Sequence, residues 1–209
     1  MKAKILTLAA ILVLSLFTLS CLNSRNYQPL KVGNHWYYTT NLGTKTLAKV
    51  VRKEKVGNIE CYVMEITPEI MGKLVPEKAV EEYLQDGTDM LSRIKKYYME
   101  SNTEITYEPA LTLIHYPLKV GKNWRWSGKQ GKNSGEFNCT VEKFEKIKTM
   151  GKTYNCAKIV TTSQKKKVEY ESSRWYCRGV GLVKESDFIL LPSGDKIEVT
   201  MELIDYQLK

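Results

Sequence analysis

Pro29-Leu30-Lys31-Val32-Gly33, followed by Trp36, returns as Pro117-Leu118-Lys119-Val120-Gly121, followed by Trp124. Five identical residues and a tryptophan at one offset, 88 positions apart, read as an internal duplication. The remainder of the two halves follows the same alignment. Lys53-Glu54-Lys55-Val56 matches Phe144-Glu145-Lys146-Ile147 at an offset of 91, and Tyr83 matches Tyr176 at an offset of 93. Gly57 to Cys61 matches Gly151 to Cys156 with one residue inserted. A drift of so few residues fits insertions in surface loops. The chain therefore divides into a first β repeat, 29–114, and a second, 115–209.

The repeated stretch also sets the local structure. Pro and Gly bracket Leu30-Lys31-Val32, which marks a turn or short edge element before a strand. His35 to Thr40 is rich in Trp, Tyr and Thr, residues that suit a pleated, half-buried surface. Lys45 to Val56 and Ile59 to Ile66 follow, with the turn at Asn58. Pro76-Glu77-Lys78-Ala79 has the form of a helix start. The matching segment, Ser173 to Tyr176, lies in β-branched and aromatic surroundings, so Ala79 to Gln85 is assigned to a strand ending at Asp86-Gly87, with room for a short helix within 68–78. Met90 to Met99 and Glu104 to Ile114 complete the first half.

In the second half a strand opens at Trp124 to Ser127, and Gly128 to Gly135 is expected to be a mobile loop. Glu136 to Lys148 and Thr153 to Thr162 form a hairpin across Met150-Gly151. Phe137, Cys139 and Val141 share one parity and Phe144 takes the other, which requires a bulge near Glu142. Val168 to Cys177, Gly181 to Leu191 and Lys196 to Leu208 follow, with Pro192 to Asp195 as a hairpin loop. The expected fold is mostly β: antiparallel meander sheets in two similar halves, preceded by a signal helix.

Met1-Lys2-Ala3-Lys4 leads into an uncharged, mostly apolar run, Ile5 to Ser20, of 16 residues. A membrane-spanning helix needs roughly 20. A charged start, a short apolar run and small residues at its end describe an export signal, 1–20. Thr18-Leu19-Ser20-Cys21 resembles the lipobox of bacterial lipoproteins, in which the cysteine is lipidated. The usual box has Leu three places before the Cys, where this chain has Thr18, so ordinary cleavage after Ser20 also fits. Lipidation of Cys21 is the favoured reading, with 21–28 as a polar tether to the membrane. The implied address is the bacterial cell envelope, facing the periplasm or the exterior.

The signal carries two lysines and no acid, so the formal charge falls from +9 to +7 in a mature chain of 189 residues. The excess is dispersed among alternating Lys and Glu, as in Arg52 to Lys55 and Glu142 to Lys148. Nucleic-acid binding wants a one-sided basic patch and is not expected. Contact with an anionic membrane surface suits the excess better. Cys61, Cys139, Cys156 and Cys177 permit two disulfides in an oxidising compartment, or serve as four small buried apolar residues. A hairpin turning near Lys165 would set Cys156 nearly opposite Cys177, the favoured bridge.

Trp175-Tyr176-Cys177-Arg178-Gly179-Val180-Gly181-Leu182-Val183-Lys184, after an upstream PLKVGxxW, resembles a widespread group of exported bacterial proteins. These pair a PLKxGxxW start with a WYxxGVGLVK finish. The likeness covers most of the mature chain and is clearest in the second half. The first half has Tyr83-Leu84-Gln85-Asp86-Gly87 where Gly-Val-Gly would fall. The resemblance implies a β fold and an exported address and carries no activity with it.

Signals for chemistry are sparse. His35 and His115 have no partner at metal-ligand spacing, and no CxxC is present, so no metal or cofactor is expected. Gly179-Val180-Gly181 reads as a strand-end turn. Glu81 with Glu82, and Glu169 with Glu171, read as solvated strand faces. Trp36 and Trp124 are expected in the core of each half, and Trp126, with its counterpart Tyr38, is the candidate for contact with a ligand or partner. The expectation is a lipid-anchored, non-enzymatic binding or interaction module. The alternative is a carrier or chaperone for lipid or lipoprotein acyl chains in a curved sheet. A closed, dry interior would favour the first, and an apolar cavity of several hundred Å³ the second.

Overall fold

The computed structural model describes residues 26–165, 168–190 and 195–209. The expected signal helix, Cys21 and the loop at 192–194 lie outside them. The first half supplies β1 (His35–Thr40), β2 (Lys45–Val56), β3 (Ile59–Ile70), the two-residue β4 (Lys73–Leu74) and β5 (Val80–Asp86). It ends with β6 (Met90–Tyr98) and β7 (Thr103–His115). The second half supplies β8 (Asn123–Gln130), β9 (Asn133–Thr149) and β10 (Lys152–Lys165). It ends with β11 (Val168–Cys177), β12 (Gly181–Leu190) and β13 (Lys196–Gln207). A single 3-10 turn, Pro76–Lys78, occupies the place where the helix-like Pro-Glu-Lys stood out.

The meander closes on itself. β1 pairs antiparallel with β13 through six residue pairs, from His35↔Gln207 to Thr40↔Met201, and with β2 on its other side. Every other strand of the ring pairs with its neighbours in sequence, while β4 only extends the tip of β3. The result is a closed antiparallel barrel of twelve strands. Closure gives every strand of the ring a neighbour on both sides, where an open meander of this length would expose two whole edges.

The two copies of the repeated motif have the same backbone hydrogen bonds. Gly33 N–H donates to Val50 O at 2.8 Å, and Asn34 N–H donates to Lys31 O at 2.9 Å. In the second copy Gly121 N–H donates to Val141 O at 2.9 Å, and Lys122 N–H donates to Lys119 O at 3.0 Å. Both glycines sit at positive φ, 96° and 81°, where a side chain would be strained. Leu30 and Leu118 are buried, and Val32 and Val120 are exposed. Each turn delivers a tryptophan into the interior: Trp36 is fully buried, and Trp124 is 9% exposed.

Bulges fall at matched places too. The β2–β3 ladder skips Val51, and the β9–β10 ladder skips Glu142, 91 residues later. The parity change between Val141 and Phe144 is thus absorbed at the expected residue. Cys156 and Cys177 pair directly across β10 and β11 and are joined by a disulfide. Closing a loop of 21 residues should contribute about 3 kcal/mol through the unfolded chain. Reduction should therefore lower urea stability by about 2–4 kcal/mol, whereas a shift below about 0.5 kcal/mol would mean the bond is dispensable. Cys61 and Cys139 are buried free thiols, so both should react with alkylating agents only after unfolding.

Several sequence expectations are corrected. The segment 128–135 is not a loop: β8 runs to Gln130, β9 begins at Asn133, and only Gly131-Lys132 turn between them. Two of the three glycines of that segment, Gly128 and Gly135, lie under Trp126. A Cβ on Gly128 would sit 2.4 Å from Glu108 O and 2.9 Å from Trp126 Cζ2, and one on Gly135 would sit 3.1 Å from Trp126 Cζ3. The glycines are there for close approach in a hairpin, and their clustering imitates a loop. Tyr27 and Gln28, expected to belong to the polar tether, are buried against the barrel.

Candidate binding site in the barrel lumen

A barrel's width grows with strand number, and about eight strands already give an interior that side chains can just fill. Twelve strands leave more room. Here large residues take up part of it, and a cavity of about 580 Å³ remains, to which every one of the twelve ring strands contributes. Its walls are of two kinds. Met64, Ile66, Leu84, Leu91, Leu113 and Met201 supply apolar surface. Glu82, Arg93, Lys96, Arg174, Glu185 and Asp187 supply charge.

The charged residues sit on opposite sides of the ring. Glu82 lies on β5, and Arg93 and Lys96 lie on β6. Arg174 lies on β11, and Glu185 and Asp187 on β12, six strand positions further round. Arg93 Nη2 donates to Glu82 at 2.8 Å, and Lys96 Nζ donates to the same carboxylate at 2.9 Å. Arg174 Nη2 pairs with Glu185 Oε1. Asp187 accepts from Tyr170 at 3.4 Å.

Burial would raise the Glu82 carboxyl, but Arg93 and Lys96 outweigh it and hold the group at about 2. Lys96 moves the opposite way to what its partner alone would cause. Burial is the largest influence and pushes the ammonium down, Glu82 pulls it up, and the charges of Arg93 and Arg174 push it further down. Glu82 is thus held ionised, and Lys96 releases its proton more readily than an ordinary lysine. The charge of Arg174, on the opposite wall, works against that of Arg93. The Tyr176 hydroxyl is pushed up to about 12, first by burial and then by the Glu185 and Glu82 carboxylates.

Tyr38, one of the two aromatic candidates, lines the lumen, and its hydroxyl donates to Leu182 O at 2.9 Å. Trp126 does not present a free ring. It is 4% exposed, stacks on Phe137 with ring centres 5.6 Å apart, and donates from Nε1 to Pro109 O at 2.8 Å. The reason lies in the β7–β8 junction, which has only two backbone pairs, Tyr107↔Gln130 and Glu108↔Lys129. Beyond them the indoles replace the ladder: Trp126 reaches Pro109 O, and Trp124 Nε1 reaches Thr112 O at 3.2 Å.

Glu81 and Glu82 are not a solvated face, since they are 6% and 5% exposed. Their side chains alternate across the sheet. Glu82 faces the lumen, while Glu81 accepts a two-point bond from Arg52 at 2.6 and 3.1 Å and a further bond from Tyr83 at 2.9 Å. Arg52, foremost, holds the Glu81 carboxyl below its usual range. Of the second pair, Glu171 is exposed. His35 and His115 contact aromatic rings, Tyr37 and Trp124 respectively, and belong to no metal-ligating group among the described residues. Sequence reading missed every charged lumen residue. The one signal was that Glu82 and Leu84 share a parity, which puts a carboxylate on an apolar face.

No protein-family model matches the chain, and no curated protein matches it. Two solved structures align with most of the chain. One, from Bacteroides fragilis and provisionally described as an exported protein with a YmcC-like fold, is 12% identical, with a TM-score of 0.52. The alignment covers 87% of this chain and 98% of that one. Another, from Parabacteroides distasonis and provisionally described as a lipoprotein, is 15% identical, with a TM-score of 0.44, over 88% of this chain and 99% of that one. At 12% identity the likeness to the Bacteroides fragilis structure is one of fold.

Proposed function

We propose that this chain is an exported protein of the bacterial envelope, lipid-anchored at Cys21, whose barrel lumen binds a small amphipathic molecule without catalysing a reaction. The observation that carries this reading is the cavity of about 580 Å³, with apolar and charged walls drawn from the whole ring. Small-molecule sites are of this size, mostly apolar, with a few placed polar groups. The carrier reading of the sequence asked for an apolar cavity. The charged belt narrows it, because a plain hydrocarbon would take that belt out of water and offer it no hydrogen bond in return. The address rests on the signal and lipobox-like segment, and the description of the Bacteroides fragilis relative as exported agrees with it.

Native mass spectrometry of the full chain, purified from envelopes without long-chain detergent, tests the binding. The expected result is one small molecule per chain. Leu111→Trp, which adds volume to a lumen-lining position, should lower the occupancy at least threefold. An empty wild-type chain that also takes up no added amphiphile would end the reading. The anchor is tested separately. Cys21→Ala should abolish metabolic labelling with fatty acid and release the chain from membranes, and unchanged labelling would refute lipidation there.

A further inference from the structure

Arg93 lines the lumen, and its Nε is buried with no hydrogen-bond acceptor among the described residues. Its contact with Glu82 goes through Nη2. Glu82 is shared with Lys96, and neither contact reaches the Arg93 Nε. Tyr107 lies beside the guanidinium, 6.0 Å from its carbon to the ring centre, and offers a π face to the cation. A buried guanidinium N–H without an acceptor is costly, and such a group in a native fold calls for a partner.

A second deficit lies in the same place. Arg93 and Arg174, on opposite walls, act against each other's charge. Glu185 holds Arg174 from the β12 side, and Asp187, also on β12, adds its charge there. On the β6 side Glu82 is divided between two cations. The free donor is therefore at Arg93, facing a second guanidinium. An anionic group placed between the two guanidinium groups would both offer Arg93 a further acceptor and reduce the repulsion. Charge-assisted bonds of this kind are the strong ones, and guanidinium geometry suits carboxylate and phosphate.

We propose that the ligand of the lumen is a single-chain amphiphile with an anionic headgroup, carboxylate or phosphate, bound between Arg93 and Arg174 with its hydrocarbon chain along Leu84, Leu91 and Leu113. The assignment rests on the lumen being a binding site, as proposed above. Apolar and charged walls share one cavity, so a molecule that ends in an anion and continues as hydrocarbon meets both kinds of surface.

The test titrates the full chain, by calorimetry below micellar concentrations, with four probes of equal chain length. Palmitic acid and 1-palmitoyl lysophosphatidic acid carry the anion. Hexadecanol is neutral, and hexadecyltrimethylammonium is a cation. The expected result is one anionic probe per chain, bound at least tenfold tighter than hexadecanol, with the cation weakest. Palmitic acid and the lysophosphatidic acid distinguish a carboxylate from a phosphate source. Arg93→Met should bring palmitic acid to within about threefold of hexadecanol, both probes being measured on the same variant. Equal wild-type affinity for palmitic acid and hexadecanol would overturn the anionic assignment and leave the lumen as a binding site. An unaltered preference in Arg93→Met would move the anion elsewhere. Failure of all four probes to bind would remove both this inference and the reading beneath it. The wild-type headgroup comparison decides the matter even if Arg93→Met does not fold.

Discussion

Glu82→Ala is expected to destabilise the barrel by roughly 3–5 kcal/mol, the range for removing one partner of a buried ion pair. The carboxylate is 5% exposed and neutralises both Arg93 and Lys96, with Arg174 facing them. Without it, Arg93 and Lys96 lose their carboxylate partner while remaining largely buried. The same contacts set a pH dependence. The Glu82 carboxyl is held at about 2, against an ordinary value of 4.5. A depressed carboxyl contributes its stability fully above the unfolded value and loses it as pH falls through the folded value. A shift of this size is worth about 3 kcal/mol. Urea midpoints should therefore fall between pH 5 and pH 2 in the wild type, and this part of the fall should be missing in Glu82→Gln. Equal acid sensitivity of the two proteins would show that Glu82 is not the titrating group. Replacing Glu82, Arg93 and Lys96 together by apolar residues should recover most of the loss, because the penalty comes from unpaired charge and not from absent contacts.

Trp36→Ala should cost roughly 3–5 kcal/mol, the usual range for emptying a large aromatic site. The ring is fully buried, and its Nε1 donates to Val180 O at 2.6 Å, so the substitution also strips a buried carbonyl of its donor. Trp124→Ala and Trp126→Ala should fall in the same range, and here the structure reverses the ranking taken from the sequence. Trp126 was expected to be tolerant, as a free ring for binding. It is instead packed between Tyr107 and Phe137 and spans the place where β7 leaves its ladder with β8. Denaturant unfolding of the three variants measures the ranking. Amide hydrogen exchange adds a local test: Trp126→Ala should speed exchange in β7 near residues 110–113 more than in β13, whose junction with β1 has six backbone pairs. A Trp126→Ala cost below about 1 kcal/mol would mean that the indole is not holding the seam.

These two cases mark where reading the chain stops being sufficient. Glu82 was read with Glu81 as part of a solvated strand face. On a half-exposed sheet a carboxylate points to water. Here both of its neighbouring faces are covered, the inner one by the ring and the outer one by Arg52, Tyr83 and the second apolar cluster of Cys61, Val63 and Ile94. Trp126 was judged by its counterpart, Tyr38, and both do point inward. What differed was the junction beside it. The β6–β7 ladder passes from Arg93↔Leu111 to Lys95↔Thr106, so residues 107–110 leave β6 altogether. No local pattern announces a gap that depends on how two strands diverge.

By itself the sequence determined the strands, nearly all of the turns, the Pro-Leu-Lys-Val-Gly geometry, the bulge at Glu142 and the facing positions of Cys156 and Cys177. Each of these is written in short-range terms: β-branched and aromatic propensity, period-two alternation, and glycine where φ is positive. Only the tertiary structure decided that the meander closes, because the β1–β13 pairing joins residues more than 160 positions apart. Closure then decided the rest. It turned one side of every strand inward, and a ring of twelve is too wide for apolar side chains alone to fill. The space left over is bounded by paired ions, and whether a carboxylate is solvent-facing or buried beside two cations follows from the ring and not from its neighbours in the chain.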